Sequence, residues 1–442
     1  MSSELKKTLK PIQLWAIIVG MVISGMYCGW NSGLAFTSPL GFIIAILVVT
    51  AFYTTFMFSY AELSTAIPHA GGPSEYASRA IGRFGGFIAG FACLVEFLFA
   101  TPAIAIAAGA YVNFAFPKIP AVLSAVACYA IFVIINCIGV ETAAKVELGI
   151  TVVAVLGLLL FVVLGITHVN VSNIINSKTS MGGIKGVYSA IPYAIWFYLA
   201  VEGGAMAAEE CHNPKKDIPK AFIFSIGTLV ILAFLTFFVT AGILDQKTLA
   251  GSASPLPDAL GVIFGKGSIL PNIMSLIGLF GLVASIHGLI IGYSRQAFAM
   301  SRAGYLPKFL SKINSKGVPV FSVVIPSLVG MIFVALGNTA TIIVISSFGA
   351  IALYIISMVS LFVLRRKAPN MSRPYRVFYP VVPGIALVLA LVFLVTVTMA
   401  NVSTIAWVVV AFAAAIVYYF IYSSITRVTD ETPVEENIEE VV

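Results

Sequence analysis

The chain has 442 residues, of which 60% are hydrophobic and only 10% charged. No water-soluble domain of that length needs so much apolar surface, which excludes a soluble enzyme or soluble binding module. The net charge of +7 does not point to nucleic acid, because the basic residues sort by membrane side.

A helix needs about 20 apolar residues to cross a bilayer. Twelve such stretches follow one another: Pro11–Phe36, Gly41–Ala61, Phe84–Phe116, Ala121–Ile138, Leu148–Ile166, Val187–Ala207, Ala221–Ile243, Leu270–Ala299, Phe321–Leu336, Thr341–Leu364, Ile385–Met399 and Ser403–Ile425. Met1–Lys10 is polar, and no short apolar core with a small-residue cleavage site follows it. The first span is therefore expected to remain in the mature protein. With an even number of spans both termini share one side. That side collects 20 of the 25 Lys and Arg, among them Lys6, Lys7, Lys10, Arg79, Arg83, Lys215, Lys216, Lys220, Lys308, Lys312, Lys316 and Arg365–Lys367. Only Lys118, Lys178, Lys185, Lys247 and Lys266 lie opposite. The positive-inside rule then places both termini in the cytoplasm. Residues 11–425 read as one membrane domain, between a polar segment 1–10 and an acidic tail 426–442 expected to be disordered. The five cysteines form no metal-spaced pair and read as packing residues.

Two spans are rich in helix breakers. The first carries Gly20, Gly25, Gly29 and Gly33, with Ser24 and Asn31 between them. The sixth carries Pro192, then Gly203 and Gly204 beside Glu202. Five spans separate them, an odd number, so two five-span halves would insert in opposite orientations. Transporters built this way break the first helix of each half near the bilayer midplane and bind substrate there. The plainer alternative is that these glycines only let helices pack closely. A break at Ser24 and Gly25 would offer backbone N–H groups to a hydroxyl or carboxylate.

Glu96 is the one charged residue in Phe84–Phe116. An intramembrane carboxylate normally pairs, faces water or meets a ligand. Ion pairing with a primary ammonium is the functional reading, and a bond to a neighbouring helix is the structural one. Glu202 could bind substrate or tether the unwound part of the sixth span. Trp196 could meet an ammonium through its ring face or act as a lid. Tyr27, Phe197 and Tyr198 could line a pocket or simply pack. Thr101, beside Pro102, could bond a ligand or cap a kink. His287 could titrate, or bond a backbone carbonyl. Asn31 and Ser285 are further polar candidates. Glu62, Glu209 and Glu210 fall at span ends, where solvated or loop-pairing roles are expected. There is no HExxH, no GxSxG elbow and no P-loop, so neither an enzyme nor an ATP-driven pump is indicated, and no cofactor or metal is expected.

Three loop sequences are more specific. They read Tyr60-Ala-Glu-Leu-Ser-Thr-Ala-Ile-Pro-His-Ala-Gly-Gly-Pro-Ser-Glu-Tyr76, Glu209-Glu-Cys-His-Asn-Pro-Lys-Lys-Asp-Ile-Pro-Lys220 and Arg295-Gln-Ala-Phe-Ala-Met-Ser-Arg-Ala-Gly-Tyr-Leu-Pro307. In that order, after spans 2, 6 and 8, they resemble the amino acid–polyamine–organocation transporter superfamily. Within it, Ile23-Ser-Gly-Met-Tyr-Cys-Gly-Trp-Asn31, Ala66-Ile-Pro-His-Ala-Gly-Gly-Pro73 and Leu94-Val-Glu-Phe-Leu-Phe-Ala-Thr-Pro-Ala103 look like bacterial ethanolamine permeases. The resemblance implies an all-helical, LeuT-like fold of twelve transmembrane helices, with inverted repeats about 11–168 and 186–364 and extra helices about 380–425. It implies a substrate site at Ile23, Ser24, Gly25, Tyr27, Glu96, Thr101, Trp196 and Tyr198, with Glu202 and His287 as gating or coupling residues. Several proton-coupled relatives carry a Lys in span 5 where this chain has Ala154. Coupling to a proton or Na+, uniport and exchange therefore all stay open. The expected activity is uptake of a small amine, ethanolamine first, across the bacterial inner membrane. The alternatives are an amino acid or polyamine permease or exchanger, and a non-transporting membrane sensor.

Overall fold

The computed structural model describes residues 9–138, 143–175 and 182–426. Lys6, Lys7, Lys178 and residues 427–442 of the acidic tail 426–442 lie outside the described residues. In chain order, span 1 is built from α1 (Pro11–Val22), α2 (Ser24–Tyr27) and the 3-10 helix Trp30–Ala35. Span 2 is α3 (Pro39–Ala66), followed by the loop helix α4 (Pro73–Ile81). Spans 3 to 5 are α5 (Arg83–Ala115), α6 (Ala121–Ile138) and α7 (Ala143–Gly165). After the short α8 (Ser172–Ile175), span 6 consists of α9 (Gly183–Ile195) and the 3-10 helix Val201–Glu210. Span 7 is α10 (Pro214–Ile243), with α11 (Gln246–Gly251) and α12 (Pro255–Phe264) in the next loop. Spans 8 to 12 are α13 (Ile269–Arg302), α14 (Val320–Leu336), α15 (Thr339–Lys367), α16 (Val381–Ala400) and α17 (Val402–Thr426).

The fold is all-helical, as the sequence implies. A bilayer interior requires every spanning backbone group to find its partner inside the protein, and a helix does so within itself. Among the described residues ten helices are long and apolar enough to cross a membrane. The other two expected spans have physical reasons to differ. Span 6 is interrupted, and α14 has 17 residues, about 25 Å of helix and the lower limit for crossing.

Burial sorts the spans into layers. Seventy-two per cent of the apolar stretch is buried in spans 1, 3 and 10, against 22% in spans 4 and 12. The first group forms the centre, and the second presents side chains such as Val122, Ile134, Trp407 and Ile425 outward. Close packing of α15 on α5 depends on Gly349, where a Cβ would stand 2.8 Å from the Glu96 amide nitrogen. That contact sets span 10 against the one carboxylate of span 3.

The second and third specific loop sequences meet at one end of the bundle, beside the start of α5. Arg295 pairs with Glu210 at 2.5 Å, and Arg83 donates to the Ala303 carbonyl at 3.0 Å. Leu9 joins them, donating to Glu210 O and accepting from His212 N–H. Glu62, almost fully buried, takes a two-pronged bond from Arg365 at 2.7 Å on each oxygen. It also accepts from the Val377 N–H at 2.9 Å and has Arg373 at 3.4 Å. Glu62 is thus a loop-pairing residue that ties span 2 to span 10 and the following loop. Glu62→Gln removes the charge and leaves two guanidiniums facing each other, a loss of about 3 kcal/mol for a buried pair. A thermal unfolding scan in detergent is expected to show a clearly lowered midpoint, and an unchanged midpoint would refute the tie.

Candidate functional site

Span 1 opens where the sequence places the break, but by insertion rather than by unwinding. Ser285 of α13 donates its hydroxyl to the Gly20 carbonyl at 2.6 Å and accepts the Ser24 N–H at 3.1 Å. One side-chain hydroxyl therefore replaces the direct Gly20-to-Ser24 helix bond, a known way of opening a helix. The Ser24 amide, expected to be unpaired, is engaged. The full interruption comes later, where Cys28 is extended and Gly29 has φ +89°. Asn31, beyond it, donates to the Leu249 and Ser252 carbonyls.

Span 6 is broken more deeply. Helix α9 ends at Ile195, and the chain turns through Trp196–Ala200 before the 3-10 segment. Ala200 has φ +71°, the one non-glycine in the left-handed region among the described residues. Such a residue persists only where its surroundings hold it. Glu96 supplies the hold, since its Oε1 accepts the Ala200 N–H at 3.0 Å. The two breaks also touch. A Cβ on Gly25 would overlap the Trp196 carbonyl, and one on Gly29 would stand 2.5 Å from Trp196 Nε1. Glycine at both positions lets the interrupted spans cross at backbone distance.

Glu96 and Glu202 come together at this crossing, both fully buried. The Tyr354 hydroxyl of α15 serves both, at 3.0 Å from Glu202 Oε2 and 3.3 Å from Glu96 Oε1. Tyr53 of α3 lies 3.1 Å from the Tyr354 hydroxyl. Ser346 donates to the Glu96 carbonyl at 2.7 Å. Glu96 Oε2 and Glu202 Oε1 accept no hydrogen bond, and the buried Trp196 Nε1 donates none. No Lys or Arg among the described residues pairs with either carboxyl.

The other expected residues separate from this cluster to different degrees. Tyr198 joins its edge, its ring tilted against Tyr53 with centroids 5.1 Å apart and its hydroxyl 2.7 Å from Thr50 Oγ1. Ile23 is buried beside the span 1 opening. Tyr27 acts as a strut: its hydroxyl donates to the Ala154 carbonyl at 2.6 Å, its own carbonyl accepts from Tyr111, and its ring fills the space over Gly278 and Gly281. Thr101, beside Pro102, donates to Phe97 O one turn back. His287 has its Nδ1 3.0 Å from Asn136 Nδ2, on the span 4 side. Tyr354 and Tyr53 were not singled out from sequence. A signal existed for Tyr354: Ser347, Tyr354 and Ser357 recur at helical spacing and give the apolar α15 one polar face. Among the described residues no three His, Cys, Asp or Glu side chains cluster so as to hold a metal ion.

Comparison with known proteins agrees with this architecture. Residues 9–428 match the amino acid permease family. A branched-chain amino acid permease of Lactococcus lactis subsp. cremoris is 26% identical over 382 residues, covering 80% of each chain. A methylthioribose transporter of Bacillus subtilis is 25% identical, covering 96% of this chain and 94% of its own. The human cystine/glutamate transporter is 26% identical, with 85% of this chain and 77% of its own aligned. With a family match across nearly its whole length and two interrupted spans crossing at its centre, the chain belongs to the amino acid permease family of the amino acid–polyamine–organocation superfamily and is a multi-pass membrane transporter.

Proposed function

We propose that the protein is a secondary transporter that imports a small primary amine, ethanolamine first, by alternating access across a bacterial inner membrane with both termini in the cytoplasm. The observation that carries this reading is the buried Glu96–Glu202 pair at the crossing of the two broken spans. A primary ammonium has three N–H donors and no acceptor. Glu96 Oε2 and Glu202 Oε1 are two buried acceptors that take no other bond, and Tyr354 orients both carboxyls. One tyrosine hydroxyl bonds both carboxyls, so the two form a single centre, which suits one ammonium. A diamine would need two separated acids, which disfavours a polyamine.

The far end of the substrate bears on the choice between an amine and an amino acid. Ser285 engages the Ser24 amide, which removes one donor that a substrate carboxylate would use. The Trp196 indole N–H is an open donor, suited to a neutral hydroxyl. A branched-chain amino acid is the competing reading, because relatives in Lactococcus lactis and Bacillus subtilis carry that name. The asymmetry of Lys and Arg supports the cytoplasmic placement of the termini.

Proteoliposomes test the reading with labelled ethanolamine and with leucine and putrescine as competitors. Saturable ethanolamine uptake is expected, with weak competition by both. Glu96→Gln removes a charged hydrogen bond of about 2 kcal/mol and should raise KM about 30-fold. Tyr354→Phe removes a hydroxyl of about 1 kcal/mol and should raise KM about fivefold. Stronger competition by leucine, or normal kinetics in Glu96→Gln, would refute ethanolamine as the substrate.

A further inference from the structure

Glu147 of α7 is a second buried carboxylate, and the substrate reading makes no use of it. It is 4% exposed. Its Oε2 accepts no hydrogen bond, and its Oε1 meets only the Thr151 hydroxyl, at 3.5 Å. Thr151 is turned mainly to α1, donating to the Ala16 carbonyl at 3.2 Å. The carboxyl itself rests on the next turn of α1. A Cβ at Gly20 would overlap Glu147 Oε1 and stand 2.6 Å from Thr151 Oγ1.

Gly20 is also the residue whose carbonyl Ser285 bridges to Ser24. One turn of α1 is therefore gripped by Glu147 and Thr151 on one side and by Ser285 on another, directly before span 1 opens. Among the described residues, the charged groups of the neighbouring elements are committed elsewhere or make no bond to Glu147. Arg295 of α13 pairs with Glu210, His287 bonds Asn136, and Asp258 of α12 takes the Ser252 hydroxyl. Lys215, Lys216 and Lys220 of α10 and Arg302 of α13 form no ion pair with it, and Asp217 accepts from the Asn213 N–H.

We propose that Glu147 is a proton-binding residue that couples transport to a proton through the seam between α1 and α7. The proposal rests on the transporter reading above, but not on the identity of the substrate. A carboxylate without a cation is costly at this depth. A proton needs one oxygen, whereas a sodium ion needs a shell of them, and the Thr151 hydroxyl that meets Glu147 already bonds Ala16. When α1 lies against Glu147 the carboxyl is shielded and holds its proton. When α1 moves away during alternating access, water reaches the carboxyl and the proton leaves. Proton binding and the position of α1 are thereby linked, each favouring the other.

The test uses the full chain in proteoliposomes, with the native protein, Glu147→Gln and Glu147→Asp. The first readout is counterflow of labelled ethanolamine, and separately leucine, without any gradient. The second is accumulation under an inward pH gradient with the membrane potential clamped at zero. For one proton per substrate the native protein should accumulate about tenfold per pH unit. Glu147→Gln should keep native counterflow and lose gradient-driven accumulation, and Glu147→Asp should restore part of it. The third readout is the infrared carbonyl band of a protonated buried carboxyl, recorded across pH without substrate. It should lose intensity in Glu147→Gln relative to native. Native-like accumulation in Glu147→Gln, loss of its counterflow as well, or an unchanged infrared band would each overturn the proposal. If neither ethanolamine nor leucine enters vesicles with native protein, the substrate reading fails while the infrared comparison still decides Glu147.

Discussion

The bond from the Ala200 N–H to Glu96 Oε1 is the constraint on which the centre of this protein depends. A bilayer interior offers no water to an unwound backbone, so a span that breaks there must find partners in protein. Span 6 breaks at a left-handed alanine, and the amide it exposes is taken by the one carboxylate of span 3. That carboxylate is then fixed beside Glu202 and under Tyr354. A backbone need thus fixes one oxygen of Glu96, and under the proposed function the other is the acceptor offered to a cation. The structural and the functional readings of Glu96 are not rivals: one oxygen holds the break and the other remains open.

Span 1 solves the same problem differently. Its opening at Gly20–Ser24 is filled by the Ser285 hydroxyl, which both donates and accepts. The bridge keeps the backbone satisfied while making the helix easier to hinge than an unbroken ladder. Glycines at positions 25 and 29 then bring the Trp196 backbone and ring against the hinge. Motion of either broken span must therefore be felt by the other, which is the mechanical requirement of alternating access around a central site.

Much of this was legible in the sequence, for identifiable reasons. Long apolar runs gave the spans, the glycine clusters gave the two breaks, and an isolated Glu96 marked the centre. What the sequence hid was of one kind: partners far apart in the chain. Nothing local to Tyr354 says that its hydroxyl meets Glu96 and Glu202, and nothing local to Ser285 says that it enters span 1. Tyr27 has a distant partner of the same kind: it sits in the broken span, and its hydroxyl reaches the Ala154 carbonyl across the bundle. Glu147 escaped notice because it lies at the start of a span, where a solvated carboxylate is the usual expectation, yet it is buried and its carboxyl lies against Gly20.

The central claim is that the Glu96–Glu202 pair reads the positive charge of the substrate. Its most direct test is equilibrium binding of ethanolamine and of its uncharged analogue ethylene glycol to purified protein, native and Glu96→Gln/Glu202→Gln. The account predicts that native protein prefers the amine strongly and that the preference collapses in the double variant. A preference for the amine that survives removal of both carboxylates would contradict it.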